Sequence, residues 1–420
     1  MNSQTNITVF EHDILKIDKG EVRLTLPQLK SLQSYYGDGV PYFSLTHNGV
    51  QFNEYVGVLQ VGNILIEVLP KADRYSKDKD SWRKMLVGML KTVYGFDIKA
   101  TSNANLKIKP NTILDLYFEL FIKEVESLLH GGLIKRYRKK EGSINVLKGA
   151  LLFNKQIQFN ISNQEKFFTS YTTYDTIHPL HQVIYKTLCL LKQINVNQSL
   201  NSRLGSLLLN FPEMPNINVT DATFNKLVFN RKSLVYKKAI EISKMILLHY
   251  HPDVSKGKND VLAIMFDMNK LWEQFVFHSI KKYKSNSFSI LRHQRKNFWT
   301  PSSGIANTII PDIVIKNTKN EYLVLDTKWK NLNGKNPTPD DLRQLFVYHH
   351  YYNANKVALV YPGNYSNING YYFEPDNTRS EKTCSIISLE ENFNIRQWQI
   401  EISNKIEAWA NEPKPFEKYS

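Results

Sequence analysis

Cysteine is almost absent. Only Cys189 and Cys384 occur in 420 residues, too few and too far apart for a disulfide framework or a Cys/His zinc site. That scarcity fits a reducing compartment and predicts a cytoplasmic protein. Long hydrophobic runs are also missing. Nothing approaches the roughly 18 apolar residues of a membrane span, and the N-terminus MNSQTNITVFEHD has neither the basic region nor the apolar stretch of a secretion signal, so a soluble, non-secreted protein that does not cross a membrane is expected. The patterns G-x-x-x-x-G-K-[ST], H-E-x-x-H and G-x-S-x-G do not occur, which leaves any nucleotide-driven work to another chain. Acidic residues are outnumbered, 39 Asp+Glu against 54 Lys+Arg, and the net charge of +15 favours an anionic partner, either nucleic acid or a membrane surface.

What is present reads as a folded, multidomain α+β protein. Hydrophobic residues make up 42% and charged residues 22%, ordinary globular values. At roughly 150 residues per domain, the length suits two or three domains. Residues 1–75 show short alternating runs and turn signals, including YYGDGVPY (35–42) and a hairpin pattern with Gly62-Asn63 at its turn, and predict a β-rich domain. A polar linker is expected over 71–80. Residues 76–254 are mostly helical in pattern, interrupted by a basic segment over 135–156 that leads into extended residues. HPDVSKGKND (251–260) marks a boundary, and 255–420 reads as an α/β domain: a helix from about Phe266, strands near 309–315 and 322–329, a helix near 339–352 and a strand over 356–362.

Within that last domain, IIPDIVIKNTKNEYLVLDTKWK (309–330) carries an aspartate in each of two strand-forming runs. If Thr318-Lys319-Asn320 is a hairpin loop, Asn317 faces Glu321 and Asp312 falls opposite Asp326, their Cβ atoms roughly 4.5–5.5 Å apart. Lys328 shares the face of Asp326, while Leu325 and Thr327 point away. Two like charges about 5 Å apart repel by about 3 kcal/mol at an effective dielectric near 20, so the pair needs compensation. Lys328 supplies part of it, and a hard cation that takes oxygen ligands would supply more. An exposed hairpin with a solvated polar face gives the same D-x-K triplet, so the motif alone decides little. Two helices add to it. FDMNKLWEQFVFHSIKKY (266–283) sets Glu273 on a stripe with Val276, Phe277 and Ile280, where it is either a third acid or a carboxylate at the stripe's edge. Thr338-Pro339-Asp340-Asp341 starts a helix with Gln344 and Tyr348 on one face.

In order, Glu273, Pro311-Asp312, Asp326-x-Lys328 and Gln344-x-x-x-Tyr348 resemble the PD-(D/E)xK nuclease superfamily, with the QxxxY element of its RecB-like branch. Further segments, GVLQVGNILIEVLPKAD (57–73), INVLKGALLFNKQI (144–157), FTSYTTYDTIHPLHQVI (168–184) and MNKLWEQFV (268–276), resemble in the same order the McrC family, nuclease subunits of McrBC-type modification-dependent restriction systems. The resemblance implies Mg²⁺, with Mn²⁺ as a substitute, held by Asp312, Asp326 and Glu273. It implies a water-positioning role for Lys328 and orienting roles for Gln344 and Tyr348. It implies as partner a McrB-like AAA+ GTPase hexamer that carries GTP, recognises double-stranded DNA and is stimulated by this chain. Many relatives carry Glu where this chain has Asp326. KRYRKK (135–140), with Arg136 and Arg138, NRKSLVYKK (230–238), and RHQRKNFW (292–299), with Arg292, Arg295 and Lys296, offer cations to DNA phosphates, or are simply solvated surface. A non-catalytic activator of the GTPase and a stand-alone repair nuclease remain as other readings.

Overall fold

The computed structural model describes residues 5–17, 20, 22–37, 39–62, 64–71, 78–94, 113–251, 261–285, 288–292, 294–317, 319–332 and 334–413. Among these are eleven α-helices and several β-sheets, a mixed α/β fold. The linker over 71–80 and the boundary over 251–260 fall mostly outside the described residues, as do Asn63 and Thr318 of the two turns. The chain divides into two compact units, Met1–Lys99 with Met265–Ser420, and Ala100–Ile264. Residues 1–75 and most of 255–420, read from sequence as separate segments, thus contribute to one unit.

In the two-segment unit, strand Ile64–Leu69 is buried along its whole length, parallel to Thr5–Phe10 on one side and antiparallel to Tyr55–Val61 on the other. The β-rich reading missed one helix here, Leu26–Tyr36. Its signal was present: the backbone N–H of Thr25 donates to Gln28 Oε1 (2.8 Å), half of a capping box, and Pro27 lies in the first turn. Helix Lys79–Tyr94 buries Trp82, Met85, Leu86 and Met89. It packs on helices Met268–Tyr283 and Ile395–Asn411 so closely that a Cβ on Gly88 would sit 2.2 Å from the Ile395 side chain.

The six-stranded sheet of this unit runs Phe288–Arg292, Ile313–Asn317, Tyr322–Thr327, Ala354–Pro362, Arg379–Leu389, Ile368–Phe373 in spatial order. Its central strands read as continuous apolar runs because both faces are covered. Val314, Val324, Val357, Leu359 and Tyr361 pack with Leu345, Tyr348 and Tyr352 of helix Pro339–Tyr352. The alternate residues Ile313, Ile315, Leu323, Leu325, Ala358 and Val360 are fully buried as well. Tyr322–Thr327 and Ala354–Pro362 are parallel, joined by helix Pro339–Tyr352, which starts at the predicted cap with Thr338 accepting from the Asp341 N–H. The preceding helix starts at Met268, two residues later than expected. Phe266 belongs to strand Val261–Asp267, and the Asp267 carboxylate caps the helix by accepting from the Lys270 N–H (3.1 Å).

The second unit is mostly helical, with a three-stranded sheet among its described residues. Helices Ile113–His130, Pro179–Ile194, Gln198–Asn210 and Lys237–Leu248 pack through their apolar stripes, and Arg136–Ile144 pairs antiparallel with Phe167–Asp175 over nine residues. At the base of that pair, fully buried His181 bridges Thr176 O (2.6 Å) and the Tyr236 hydroxyl (3.0 Å), which accepts from the Ile134 N–H (3.0 Å).

Candidate active site

The hairpin adopts the register that counting residues gives. Ile313 pairs with Leu325, Val314 with Val324 and Ile315 with Leu323, and the Asn317 N–H donates to Glu321 O. Asn320 takes a left-handed conformation (φ 63°) and Asn317 Oδ1 accepts from the N–H groups of Lys319 and Glu321, which together close the turn. One step beyond the ladder, Asp312 sits at a bend after Pro311, opposite Asp326. Its carboxylate Oδ2 accepts from both the N–H (2.7 Å) and the hydroxyl (2.8 Å) of Thr327. Thr327 was expected to face away. Because Asp312 has left the pleat, its carboxylate reaches the backbone of the neighbouring strand instead.

Asp326 is 1% exposed, on the sheet face covered by helix Pro339–Tyr352. Gln344 of that helix joins the group. Its Nε2 donates to Asp326 Oδ1 (3.1 Å) and to the Tyr348 hydroxyl (2.8 Å), and its Oε1 accepts from Lys328 Nζ (3.3 Å). Tyr348 in turn donates to Ile310 O (3.2 Å), two residues before Asp312. Lys328 Nζ also lies 2.8 Å from Asp326 Oδ2, an ion-pair distance, yet off the direction of a hydrogen bond, so that buried oxygen keeps unsatisfied lone pairs. The geometry therefore gathers Asp312, Asp326, Lys328, Gln344 and Tyr348. Glu273 is half-buried on its helix, and no group of three His, Cys, Asp or Glu side chains in metal-binding geometry occurs among the described residues.

Electrostatics at the site oppose each other. Burial, reinforced by Asp312, pushes the Asp326 carboxyl up to about 7, with Lys328 pulling it back. Burial disfavours the Lys328 cation, but Asp326, Asp312 and Asp341 outweigh it and its pKa is raised. Burial and the neighbouring acid thus push Asp326 toward its neutral form, while the surrounding acids favour the charged form of Lys328.

Sequence reasoning missed several neighbours. Asp341 Oδ2 accepts from Lys330 Nζ (2.6 Å) and the Tyr361 hydroxyl (3.2 Å); burial raises its pKa, Lys330 and Thr338 more than reverse this, and the carboxyl ends up lowered. Trp329 follows the D-x-K triplet, its N–H donating to Asn269 Oδ1 (3.2 Å) and its indole Nε1 to Glu11 Oε1 (2.7 Å). Asp341 was in view only as an acid in the first turn of its helix. No sequence signal ties Glu11 to Trp329 across that separation.

The expected DNA-contacting cations are placed as follows. Arg295 is exposed, and Lys296 Nζ donates to Tyr351 O. The Arg292 side chain lies outside the described residues. Arg138 makes a bidentate pair with Asp175 (3.0 and 2.7 Å), and Arg136 donates to Ile177 O (2.8 Å).

Comparison with known proteins gives one direction. A family model described as McrBC 5-methylcytosine restriction system component matches residues 50–362. The chain is 23% identical over 249 residues to the type IV methyl-directed restriction enzyme EcoKMcrBC of Escherichia coli K12, spanning 57% of this chain and 71% of that protein. Among solved structures, a chain from a half-complex of the tetradecameric assembly of Thermococcus gammatolerans McrB AAA+ hexamers with bound McrC aligns with a TM-score of 0.72 at 19% identity, over 96% of this chain and all of that one. A chain of the T. gammatolerans McrBC complex aligns with a TM-score of 0.53 at 18% identity, over 67% of this chain and 89% of that one. No helix among the described residues is long and apolar enough to cross a membrane.

Proposed function

The chain belongs to the McrBC 5-methylcytosine restriction system component family, and from that premise we propose that it is the nuclease subunit of such a system, cutting DNA phosphodiester bonds. Residues 255–420 would carry the PD-(D/E)xK nuclease fold, and 1–75 and 76–254 would mainly serve a partner. That partner is a McrB-like AAA+ GTPase hexamer, since the solved structures of similar fold come from McrBC assemblies, one of them of McrB AAA+ hexamers with bound McrC, and this chain has no P-loop of its own.

The observation that carries the reading is the bridge made by Gln344, which joins a buried acid, an amine and a tyrosine while one oxygen of that acid is left unsatisfied. Such a donor set fits a hard divalent cation, Mg²⁺ or Mn²⁺: two carboxylates offer oxygen ligands, one buried oxygen of Asp326 receives no hydrogen bond, and the single ammonium of Lys328 offsets only part of the charge the two acids would carry. Asp312 and Asp326 would hold it, with Glu273 as an auxiliary ligand. When bound, the cation supplies Lewis acidity toward a phosphate oxygen. The chain's own groups do the rest. Lys328, kept charged by three acids, positions the attacking water and offsets charge on the phosphate. Gln344 fixes Lys328 relative to Asp326, and Tyr348 fixes Gln344 relative to the backbone before Asp312.

The test is cleavage by the reconstituted complex with Mg²⁺ and GTP, wild type against Asp326→Ala. Cleavage by wild type alone supports the reading. Unimpaired GTPase stimulation without any cleavage makes the chain an activator. Robust cleavage by the isolated chain makes it a stand-alone nuclease.

A further inference from the structure

Strands Lys296–Trp299 and Asn307–Ile309 form a two-stranded ribbon outside the six-stranded sheet. Every residue of the first strand is exposed, including Phe298 and Trp299, the latter at 58%, and Ile305 in the connecting turn is 92% exposed. Exposed aromatic and branched side chains clustered on one short ribbon need a partner surface.

The ribbon is fastened to the helix that holds the candidate site. Lys296 donates to Tyr351 O and lies 4.9 Å over the Tyr352 ring, and the Tyr352 hydroxyl donates to Ile309 O (3.0 Å). Tyr348, already joined to Asp326 through Gln344, holds Ile310 O. Lys296 is therefore a fastener, and the Phe298 ring lies 5.5 Å from that of Tyr351 on the same helix, while Arg295 and Trp299 are exposed. Charge selects the kind of partner. The sequence has no Asp or Glu between Glu273 and Asp312, so the ribbon presents cations and apolar rings with no acid of its own. A polyanion with flat apolar faces matches both properties.

We propose that this ribbon is a DNA wedge: Trp299 stacks into a base step of the duplex, Phe298 and Ile305 lie against the groove, and Arg295 holds a flanking phosphate. The inference rests on the nuclease reading and deepens it. Apolar wedges that part base steps, with cations on adjacent phosphates, are an established way for proteins to deform DNA. Distance sets where. Trp299 pairs with Asn307, five residues before Asp312. At roughly 3.5 Å per residue plus about 5 Å between strands, the indole backbone lies within about 22 Å of the acid, or about six base steps of 3.4 Å.

The experiment uses the full chain with its GTPase partner and duplexes carrying 2-aminopurine at successive positions, under conditions that allow binding without cleavage, followed by cleavage with Mg²⁺. Wild type should raise the fluorescence at one step no more than about six base pairs from the cut. Trp299→Ala should abolish that rise and weaken DNA binding about tenfold, the scale of one base–aromatic stack, while GTP hydrolysis is stimulated as in wild type. Trp299→Phe should restore most of both. The inference is overturned if no step responds in wild type, or if Trp299→Ala binds and distorts DNA normally. It is equally overturned if Trp299→Ala loses GTPase stimulation while DNA binding holds, which would make the ribbon a protein-docking element. A wild-type complex that distorts the duplex but never cuts it sinks the nuclease reading and leaves the wedge standing.

Discussion

Glu11 offers a quantitative test of how the N-terminal segment supports the site. Its carboxyl is 2% exposed, with Oε1 accepting from the Lys71 N–H (2.6 Å) and from Trp329 Nε1 (2.7 Å), while Oε2 is buried without a hydrogen-bond partner. Burial pushes its pKa from 4.5 up to about 7, against the lowering effect of those two donors. For an acid whose folded-state pKa is raised, the folded protein binds more protons than the unfolded one between the two values. Stability then falls as pH rises from about 4.5 through 7. A shift near 2.5 units at about 1.36 kcal/mol each puts the full penalty at about 3 kcal/mol above pH 8.

Glu11→Gln removes the ionisation while keeping an oxygen for both donors. Denaturant unfolding of the full chain should therefore show the variant gaining on wild type by about 2–3 kcal/mol between pH 5 and pH 8.5. Taking the difference at each pH cancels the titrating groups the two proteins share. A gap that stays constant across that range would show that Glu11 does not carry a buried charge, and the argument would fail. Glu11→Ala also removes the ionisation and should follow the same trend with pH, but should lie below Glu11→Gln by about 1–3 kcal/mol at every pH, because it leaves the indole N–H of Trp329 unpaired.

Asp326→Asn should be at least as stable as wild type at pH 8 without metal, because a buried charge beside Asp312 is removed, yet should lose the rise in melting temperature that Mn²⁺ gives wild type. Lys328→Ala should keep that metal-induced rise and lose cleavage at least about 100-fold, and calorimetry showing lost metal affinity would make the lysine structural. His178 and His181 both have lowered pKa values, the first about 4, each chiefly through burial. Their contribution is present above about pH 6.5 and lost as pH falls toward 4, so acid should weaken hydrogen-exchange protection of the Arg136–Ile144 pair, and His181→Phe should reduce that pH dependence, leaving the part that belongs to His178. A fragment starting at residue 265 should fail to fold cooperatively, since Gly88 and Trp82 of the N-terminal segment pack against Ile395 and Phe393; a sharp melt of that fragment would refute this.

The parts of the site that were legible in the sequence are those set by local rules. Hairpin register follows from period-two alternation and a turn that Asn317 and Asn320 can close, and the helix start at Thr338-Pro339 follows from capping, so Asp312, Asp326, Gln344 and Tyr348 could be aligned before any coordinates. What stayed hidden depends on departures from those rules or on distance along the chain. Asp312 leaves the pleat at Pro311, which turns Thr327 into its partner, and Glu11 meets Trp329 only because 1–99 folds with 265–420.

One residue shows why the two kinds of information converge. A valine at position 326 would suit its strand better: the register partner is Leu359, the preceding residues Leu323, Val324 and Leu325 are buried and apolar, and Oδ2 receives no hydrogen bond. Every local influence except Lys328 and Gln344 argues for an uncharged side chain there, and the upward pull on its pKa is the sum of those influences. Natural sequences are locally consistent wherever stability alone is at stake, so a conflict this concentrated supports the proposed catalytic role of this position. It also states what must relieve it. Lys328 is already engaged by Gln344 and Asp326, so under the proposed reading the compensation beyond protonation of the carboxyl itself is the divalent cation that Asp312 and Asp326 would hold.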